Sequence, residues 1–376
     1  MLLILCLLLS LPAAAQDEPA PQFLYRDENH LVLLNGYTGA ATELPIEVTE
    51  QDHFAWSPDG RYLLARIHDA NDSPCLNLYD VDKLAWVYEE PISCDVWEAV
   101  FSSDSTRIAY AANGDTNGAL WLYNIADESH QELYRTTNGN EANPSGIQTM
   151  RWSPTKTYLT FESFHWIMGG TINFLEVLNI ETGHYFSVEG GGYYAHFNPI
   201  WNADDGWFLL ILQEEYVTSF AVPMTNHEGD VYLINSETGE QYRLTYTPAV
   251  AEYDVHWTDD GKITYEVMTV HETILTLEQA QHVEVMPDED IVMPEPIAEE
   301  DYPGSQQRDV MVSPDPDVGA WVSASSNKGV SKLNIGYFFS ESYYDEVYFS
   351  TFIPDDYQWS NVLIGWRPSA YPYPQG

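Results

Sequence analysis

The chain has 376 residues, of which 58 are acidic and 14 are basic, giving a formal net charge of −44. The hydrophobic fraction is 44% and the aromatic fraction 14%, so the chain has enough apolar side chains for a packed core and is not disordered as a whole. This negative charge excludes nucleic acids and anionic lipid surfaces as expected partners, because their phosphates would repel it.

The first fifteen residues have the composition of a secretory signal. Residues 2–11 are almost wholly apolar, and Ala13, Ala14 and Ala15 form a small-residue cleavage site before Gln16. We therefore predict a signal peptide over residues 1–15 and an extracytoplasmic protein that is secreted, periplasmic or held at the cell surface. An uncleaved tether stays open as an alternative, because no Lys or Arg precedes the apolar run. No later segment approaches 18 consecutive apolar residues, so no membrane span is expected after cleavage.

Two cysteines, Cys75 and Cys94, remain after this cleavage. In an exported chain such a pair more often forms a disulfide than two free thiols, and we predict the disulfide. Two inert buried thiols are the alternative. The bond would close a loop of about 20 residues and stabilise the fold by about 3 kcal/mol in the chain-entropy treatment.

An internal repeat dominates the rest of the chain. The segment Phe54–Ala65, FAWSPDGRYLLA, recurs in weaker forms at intervals of 45 to 56 residues. The large apolar residues that anchor the copies are Trp56, Phe101, Trp152, Trp201, Trp257, Val312 and Trp366. In each copy a short strand ends at the anchor, a Ser-Pro-Asp-Gly type turn follows, and further alternating strands complete the unit. Thr273–Gln281 is the one short helical candidate.

Four antiparallel strands in about 50 residues are typical of a β-propeller blade. The segment 16–55 has three strands and lacks a first one, whereas 362–366 supplies a first strand with nothing after it. We therefore predict an all-β fold: a seven-bladed β-propeller closed by pairing of N- and C-terminal strands in one blade. Six blades with 340–376 as an appendage are the alternative. Residues 16–376 would form a single propeller domain, with an acidic, proline-rich insertion at about 286–304.

The Trp-Ser-Pro-Asp-Gly turn and the aromatic and aliphatic strand after it, Trp56–Leu64, resemble the repeat of the TolB-like β-propeller family. The same repeat occurs in propeller domains attached to prolyl-oligopeptidase-type hydrolases. The resemblance implies the propeller fold. TolB itself carries an α/β domain before its propeller, and strands here begin too soon after residue 15 for one, so its Pal-binding role is not implied.

Candidate binding residues follow from the repeat. First strands line the axial channel of a propeller, and the position three before the anchor is polar in six of seven copies, which predicts a polar ring at the channel mouth. We expect a ligand site formed by His53, Glu98, Arg151, Asn198, Asp254, His256 and Asp309. Its three carboxylates would favour a cation or a basic ligand group, opposed by the histidines and the arginine. Ordinary solvation of a wet channel is the alternative.

No catalytic motif stands out, since the sequence has no Gly-x-Ser-x-Gly elbow, phosphate-binding loop or His-Glu-x-x-His. The first hypothesis is therefore a non-catalytic binding or scaffold propeller that recognises an envelope or extracellular protein, a peptide or a glycan at the channel mouth or rim loops. The alternative is a carbohydrate-active hydrolase or lyase that uses channel carboxylates and histidine. We expect a monomer without a cofactor. Calcium is a weaker option at three acidic turns, which begin at Asp69, Asp115 and Asp315.

Overall fold

A computed structural model gives the structure of the protein. It describes residues 21–27, 29–49, 51–114, 116–137, 139–140, 143–167, 170–188, 192–193, 197–212, 230–245, 252–267, 271–283, 310–312, 318–324, 330–337, 346–354 and 363–366. The described residues are mostly antiparallel β-strand, and the all-β class predicted from the sequence is therefore confirmed. The predicted signal peptide 1–15 and the acidic segment 286–304 lie outside the described residues.

The described elements follow one another in chain order. They are β1 (Gln22–Asp27), β2 (His30–Asn35), β3 (Ala41–Glu47), β4 (His53–Trp56), β5 (Tyr62–His68), β6 (Pro74–Asp80), β7 (Ala85–Trp86), β8 (Val96–Phe101), β9 (Arg107–Asn113), β10 (Gly118–Asn124), β11 (Ser129–Arg135), β12 (Ser145–Trp152), β13 (Tyr158–Ile167), β14 (Gly170–Asn179), β15 (Tyr185–Ser187), β16 (Gly192–Tyr193), β17 (Ile200–Trp201), β18 (Trp207–Leu212), β19 (Asp230–Asn235), β20 (Gln241–Arg243), β21 (Glu252–Trp257), β22 (Ile263–Val267), β23 (His271–Leu275), α1 (Leu277–Ala280), β24 (Val310–Val312), β25 (Val318–Ala324), β26 (Val330–Tyr337), β27 (Glu346–Pro354) and β28 (Leu363–Trp366).

These strands form seven separate sheets within the described ranges. Their strand orders are β28-β1-β2-β3 in sheet 1, β4-β5-β6-β7 in sheet 2, β8-β9-β10-β11 in sheet 3, β12-β13-β14-β15 with β16 beside β14 in sheet 4, β17-β18-β19-β20 in sheet 5, β21-β22-β23 in sheet 6 and β24-β25-β26-β27 in sheet 7. Sheets 1 and 7 belong to one compact unit, and sheets 2 to 6 belong to a second.

Sheet 1 contains strands from both ends of the chain. Strand β28 pairs antiparallel with β1, so that Trp366 lies opposite Phe23 and Gly365 lies opposite Leu24. The three strands near the N-terminus thus receive their first strand from residues 363–366. This pairing protects the edge of β1, whose Phe23 and Leu24 are fully buried.

In the second unit, each sheet packs against the next sheet along the chain. Four apolar clusters join sheets 2 and 3, 3 and 4, 4 and 5, and 5 and 6. Their most deeply buried members include Leu76 and Ile108, Leu120 and Phe161, Leu175 and Phe208, and Leu233 and Ile263. Full burial of each such side chain contributes about 1.5–3 kcal/mol, so these faces supply most of the cohesion between sheets.

In the five turns after an anchor that the structure describes, a polar side chain at the start organises the turn. In sheet 2, Ser57 Oγ donates to Asp59 Oδ1 at 2.6 Å and accepts from the Tyr62 N–H at 2.8 Å. Gly60 has a φ of +70°, in the left-handed region that glycine adopts at least cost. The equivalent turns begin at Ser102, Ser153, Asn202 and Thr258.

Among these five described turns, three have another residue in place of glycine at the left-handed position, and its side chain contacts the preceding sheet. Ser105 Oγ of sheet 3 accepts the Asp59 N–H of sheet 2 at 3.0 Å. Lys156 of sheet 4 lies 3.0 Å from the Asp104 carboxylate of sheet 3. Asp205 of sheet 5, 2% exposed, accepts hydrogen bonds from sheet 4, among them the Thr155 N–H at 2.9 Å. The three residues have φ values of +59°, +68° and +60°.

Two of the anchor tryptophans add a second link between sheets. Trp152 Nε1 donates to the Val100 carbonyl at 3.4 Å, and Trp257 Nε1 donates to the Ile200 carbonyl at 2.9 Å. In both cases the acceptor is the residue just before the anchor of the preceding sheet. The repeat therefore specifies contacts between sheets as well as strands within them.

The described residues contain one short helix, and it is shorter than the sequence predicted. Residues 271–275 form strand β23, and α1 covers only Leu277–Ala280. Thr276 caps its first turn, since its side chain accepts from the Gln279 N–H. Within the described residues, no helix is long and apolar enough to cross a membrane.

The predicted disulfide between Cys75 and Cys94 is confirmed. The two Cα atoms lie 3.9 Å apart, and the bond joins the start of β6 to the segment that follows β7. An antiparallel bridge between Leu76 and Ser93 holds the adjoining backbone together. The bond therefore fixes the segment that leads into β8.

Removing β28 should destabilise sheet 1. We expect a protein that ends at residue 356 to aggregate or to melt at a clearly lower temperature, because β1 would lose its paired neighbour. A protein that ends at Trp366 keeps β28 and serves as the control. Thermal unfolding followed by circular dichroism compares the two, and equal melting temperatures would show that β28 contributes nothing to the fold.

The disulfide should stabilise the protein by about 3 kcal/mol, because it restricts the unfolded chain. We expect the double substitution Cys75→Ser and Cys94→Ser, made in protein that begins at Gln16, to lower the free energy of unfolding in urea by about that amount. The unsubstituted protein should show no reactive thiol before reduction. Two titratable thiols in the native protein would contradict the bond.

Candidate functional site

A cleft of about 210 Å³ lies between sheets 2 and 3. Its walls come from β4, β5 and β6 on one side and from β8 on the other. Strands β4 and β8 are each the first strand of their sheet in the strand order. The lining residues are His53, Phe54, Ala55, Leu64, Arg66, Leu76, Trp97, Glu98 and Ala99.

The floor of the cleft is apolar. Leu64 and Leu76 are buried in the cluster that joins sheets 2 and 3, and Ala99 packs against that cluster. Phe54 is half-buried, whereas its neighbours His53 and Ala55 are exposed. Because side chains alternate along a strand, β4 directs Phe54 to one side and His53 and Ala55 to the other.

The rim carries an exposed tryptophan that the sequence analysis did not select. Trp97 is 61% exposed, whereas Val96 beside it is fully buried. The pairing of β8 with β9 shifts register between Val96 and Glu98, which makes Trp97 the extra residue of a β-bulge. Such a bulge turns a side chain away from the regular strand face and here leaves the indole in solvent.

Arg66 supplies the cation of the cleft. It lies opposite His53 in the pairing of β4 with β5, and its Nη1 donates to the Trp97 carbonyl of sheet 3. Its Nε is buried without a hydrogen-bond partner in the described part of the chain. Burial lowers the pKa of the guanidinium, and the nearby carboxylates of Glu98 and Asp52 oppose that shift.

Glu98 is occupied by the backbone of the next sheet. Its Oε2 accepts the Thr149 N–H at 2.5 Å, and its Oε1 accepts the Met150 N–H at 3.0 Å. These two residues form an irregularity in β12, where the register shifts between Gln148 and Arg151 and Thr149 has a φ of +54°. Burial raises the pKa of the Glu98 carboxyl, partly offset by these two N–H donors. Glu98 therefore joins sheet 3 to sheet 4.

Two further polar side chains bind backbone groups that lie in the next sheet or in the segment leading into it. Asn113 of sheet 3 accepts from the Ile147 N–H at 3.0 Å and donates to the Ile147 carbonyl at 3.1 Å. Glu162 of sheet 4, fully buried, accepts the Phe197 N–H at 2.9 Å. Neither role is visible in the sequence, because the backbone partners of Asn113 and Glu162 lie 34 and 35 residues away, in the next repeat.

The structure brings two of the predicted site residues, His53 and Glu98, into the same cleft. Arg151 is exposed on β12, close enough to lower the pKa of Glu98. Asn198 and His256 are exposed and are not among the residues that line the cleft.

Two predicted residues cannot be placed in this site. The backbone of Asp254 lies in β21, but its side chain is outside the described part of the chain. Asp309 is also outside it. The ring of residues from separate repeats therefore stays a prediction.

The calcium option gains no support from the one acidic turn that the structure describes. Asp69 Oδ1 accepts the N–H groups of Asn71 and Ser73 at 2.8 and 2.9 Å, so this carboxylate stabilises its own hairpin. Within the described ranges, no three His, Cys, Asp or Glu side chains are grouped so that they could hold a metal ion. The predicted ligands Asp115, Asp315 and Asp317 lie outside those ranges.

No protein-family model matches the chain. Solved structures that resemble it include TolB from Acinetobacter baumannii, with a TM-score of 0.38, 12% identity, and coverage of 84% of this chain and 60% of TolB. An oligogalacturonate lyase in complex with manganese has a TM-score of 0.43, 11% identity, and coverage of 83% and 81%. A prolyl endopeptidase structure has a TM-score of 0.47, 12% identity, and coverage of 89% and 50%. At these values the similarities define neither the family nor the activity of the chain. The chain spans less than two thirds of the TolB structure and half of the prolyl endopeptidase structure.

Protonation of Glu98 should stabilise the fold. Because the folded state raises its pKa, this contribution is complete below the ordinary value of 4.5 and is lost as the pH rises through the folded pKa. We expect the stability of the wild type relative to Glu98→Gln to fall as the pH rises above 4.5, since glutamine does not titrate. Urea unfolding at several pH values measures this difference. Glu181→Gln, at an exposed turn residue, is the control, and a difference that grows with pH would contradict the assignment.

Proposed function

We propose that the protein is a non-catalytic, extracytoplasmic binding module that recognises a protein, peptide or glycan partner through the cleft between sheets 2 and 3. The seven-bladed ring, the single domain over residues 16–376 and the signal peptide over residues 1–15 are part of this proposal. They rest on the spacing of the repeats and on the composition of the N-terminus.

The observation that carries the proposal is the combination of an exposed indole and an apolar floor in one cleft. Trp97 is 61% exposed, and Leu64 and Leu76 beneath the cleft are buried. Interaction hot spots are enriched in tryptophan and lie in well-packed pockets. A concave, mainly apolar surface with a few polar groups is also the usual form of a ligand site.

The state of Glu98 favours binding over catalysis. Hydrolysis of a glycoside by the usual route requires two carboxyl groups, one of them able to exchange a proton with the substrate. Among the described lining residues Glu98 is the single carboxylate, and each of its oxygens accepts a backbone N–H from β12. It is thus held as a structural group, and His53 and Arg66 are the remaining lining residues with ionisable side chains.

The disulfide supports the extracytoplasmic location. Disulfides persist in oxidising compartments and are rare in the cytosol. The bond between Cys75 and Cys94 agrees with the export signal predicted at the N-terminus.

A combined peptide and glycan array, with capture from native envelope or culture fluid, tests the proposal. We expect a partner whose binding falls about tenfold or more for Trp97→Ala, as is typical of a hot-spot tryptophan. Trp166→Ala is the matched control, because Trp166 is also exposed, at 49%, and does not line the cleft.

Two results would count against the proposal. Equal loss of binding in the two variants would show that the cleft is not the recognition surface. Cleavage of an array oligosaccharide, detected as new reducing ends, would establish the carbohydrate-active alternative. If binding does not depend on the cleft, the predicted rim loops and the acidic segment 286–304 are the next candidates to test.

A further inference from the structure

The size and charge of the cleft restrict the chemistry of its ligand, and this inference rests on the proposed binding function. A volume of about 210 Å³ is below the range of roughly 300–1,000 Å³ usual for small-molecule pockets. The cleft therefore accommodates one ring or one apolar side chain at a time. Its buried floor, formed by Leu64 and Leu76, offers no hydrogen-bonding side chain to the several hydroxyls of a sugar.

The charge of the cleft does not favour an anionic ligand. Arg66 is its one Lys or Arg, and the carboxylates of Glu98 and Asp52 lie close enough to act on it. Besides His53 the lining carries one guanidinium and one carboxylate, so it has no excess of arginine or lysine to attract a carboxylate or a phosphate. The chain as a whole carries −44, so an acidic partner would also be repelled at longer range.

The exposed indole of Trp97 provides a surface that can attract a cation. The face of an indole attracts a lysine or arginine cation, and tryptophan is the best aromatic residue for this contact. We infer that the cleft binds a basic polypeptide segment, with one aromatic or large aliphatic side chain on the apolar floor and a neighbouring lysine or arginine against Trp97. The partner is therefore a basic protein or peptide rather than an acidic glycan.

The experiment must separate this site from general attraction between opposite charges. Short, blocked, fluorescently labelled peptides are compared by anisotropy: one with phenylalanine between two lysines, one with alanine in its place, and one with phenylalanine between two glutamates. We expect the lysine–phenylalanine peptide to bind about tenfold or more tightly than its alanine counterpart, which has the same charge. The glutamate peptide should not bind. Added salt should weaken both lysine peptides and leave their ratio nearly unchanged.

Two variants locate the binding in the cleft. Ala55 is exposed on the rim, so Ala55→Trp should fill the cleft without disturbing the core and abolish the preference for phenylalanine. Trp97→Ala should weaken the lysine–phenylalanine peptide about threefold to tenfold through loss of the indole face. Trp166→Ala should match the wild type, and thermal melts of all three variants confirm that they fold.

The outcomes separate this inference from the proposed function. Equal affinity for the phenylalanine and alanine peptides, or binding of the glutamate peptide, would overturn the inference. An acidic oligosaccharide that binds in a Trp97-dependent way while the peptides fail would overturn it and leave the binding function standing. If no probe and no array partner depends on Trp97, both fall.

Discussion

The unpaired backbone of the first strands is the constraint on which the packing of the second unit depends. A first strand pairs on one side only, so its remaining N–H and C=O groups need partners outside its own sheet. Glu98 and Asn113 of sheet 3 bind such groups in β12, and Glu162 of sheet 4 binds the Phe197 N–H, three residues before β17. The interfaces of sheet 4 with sheets 3 and 5 therefore combine apolar contact with directional hydrogen bonds.

Much of the fold could be predicted, because the signals that specify it are periodic. The residue two before the anchor packs in a cluster between sheets in three of the repeats, at Ala99, Met150 and Val255, as alternation along a first strand requires. The turn residues indicated where the chain reverses between strands. The incomplete repeats at the two ends indicated that β1 and β28 belong to one sheet. The helical pattern near residue 273 was misjudged, because a strand and a four-residue helix share that segment.

The site was less predictable, because it depends on departures from the repeat. A bulge in β8 exposes Trp97, and another irregularity in β12 directs two N–H groups at Glu98. Neither irregularity changes the alternation of polar and apolar residues in the sequence. The hydrogen-bond partners of Glu98 lie 51 and 52 positions away, so the sequence near Glu98 does not reveal them. His53 and Glu98, which occupy equivalent positions of two repeats, both line the cleft, but the carboxylate of Glu98 is hydrogen-bonded to the backbone of β12.

The left-handed turn position bears on how such a protein should be engineered. Gly60 and Gly261 are the residues that a consensus of the repeats would choose, and glycine would relieve the backbone strain at Ser105, Lys156 and Asp205. Each of these three side chains, however, contacts the preceding sheet. Replacement of these residues by glycine would thus relieve the strain of each turn but remove its side-chain contact with the preceding sheet. In this chain the residues that depart from the consensus make contacts between sheets, and a sequence averaged over the copies would lose those contacts.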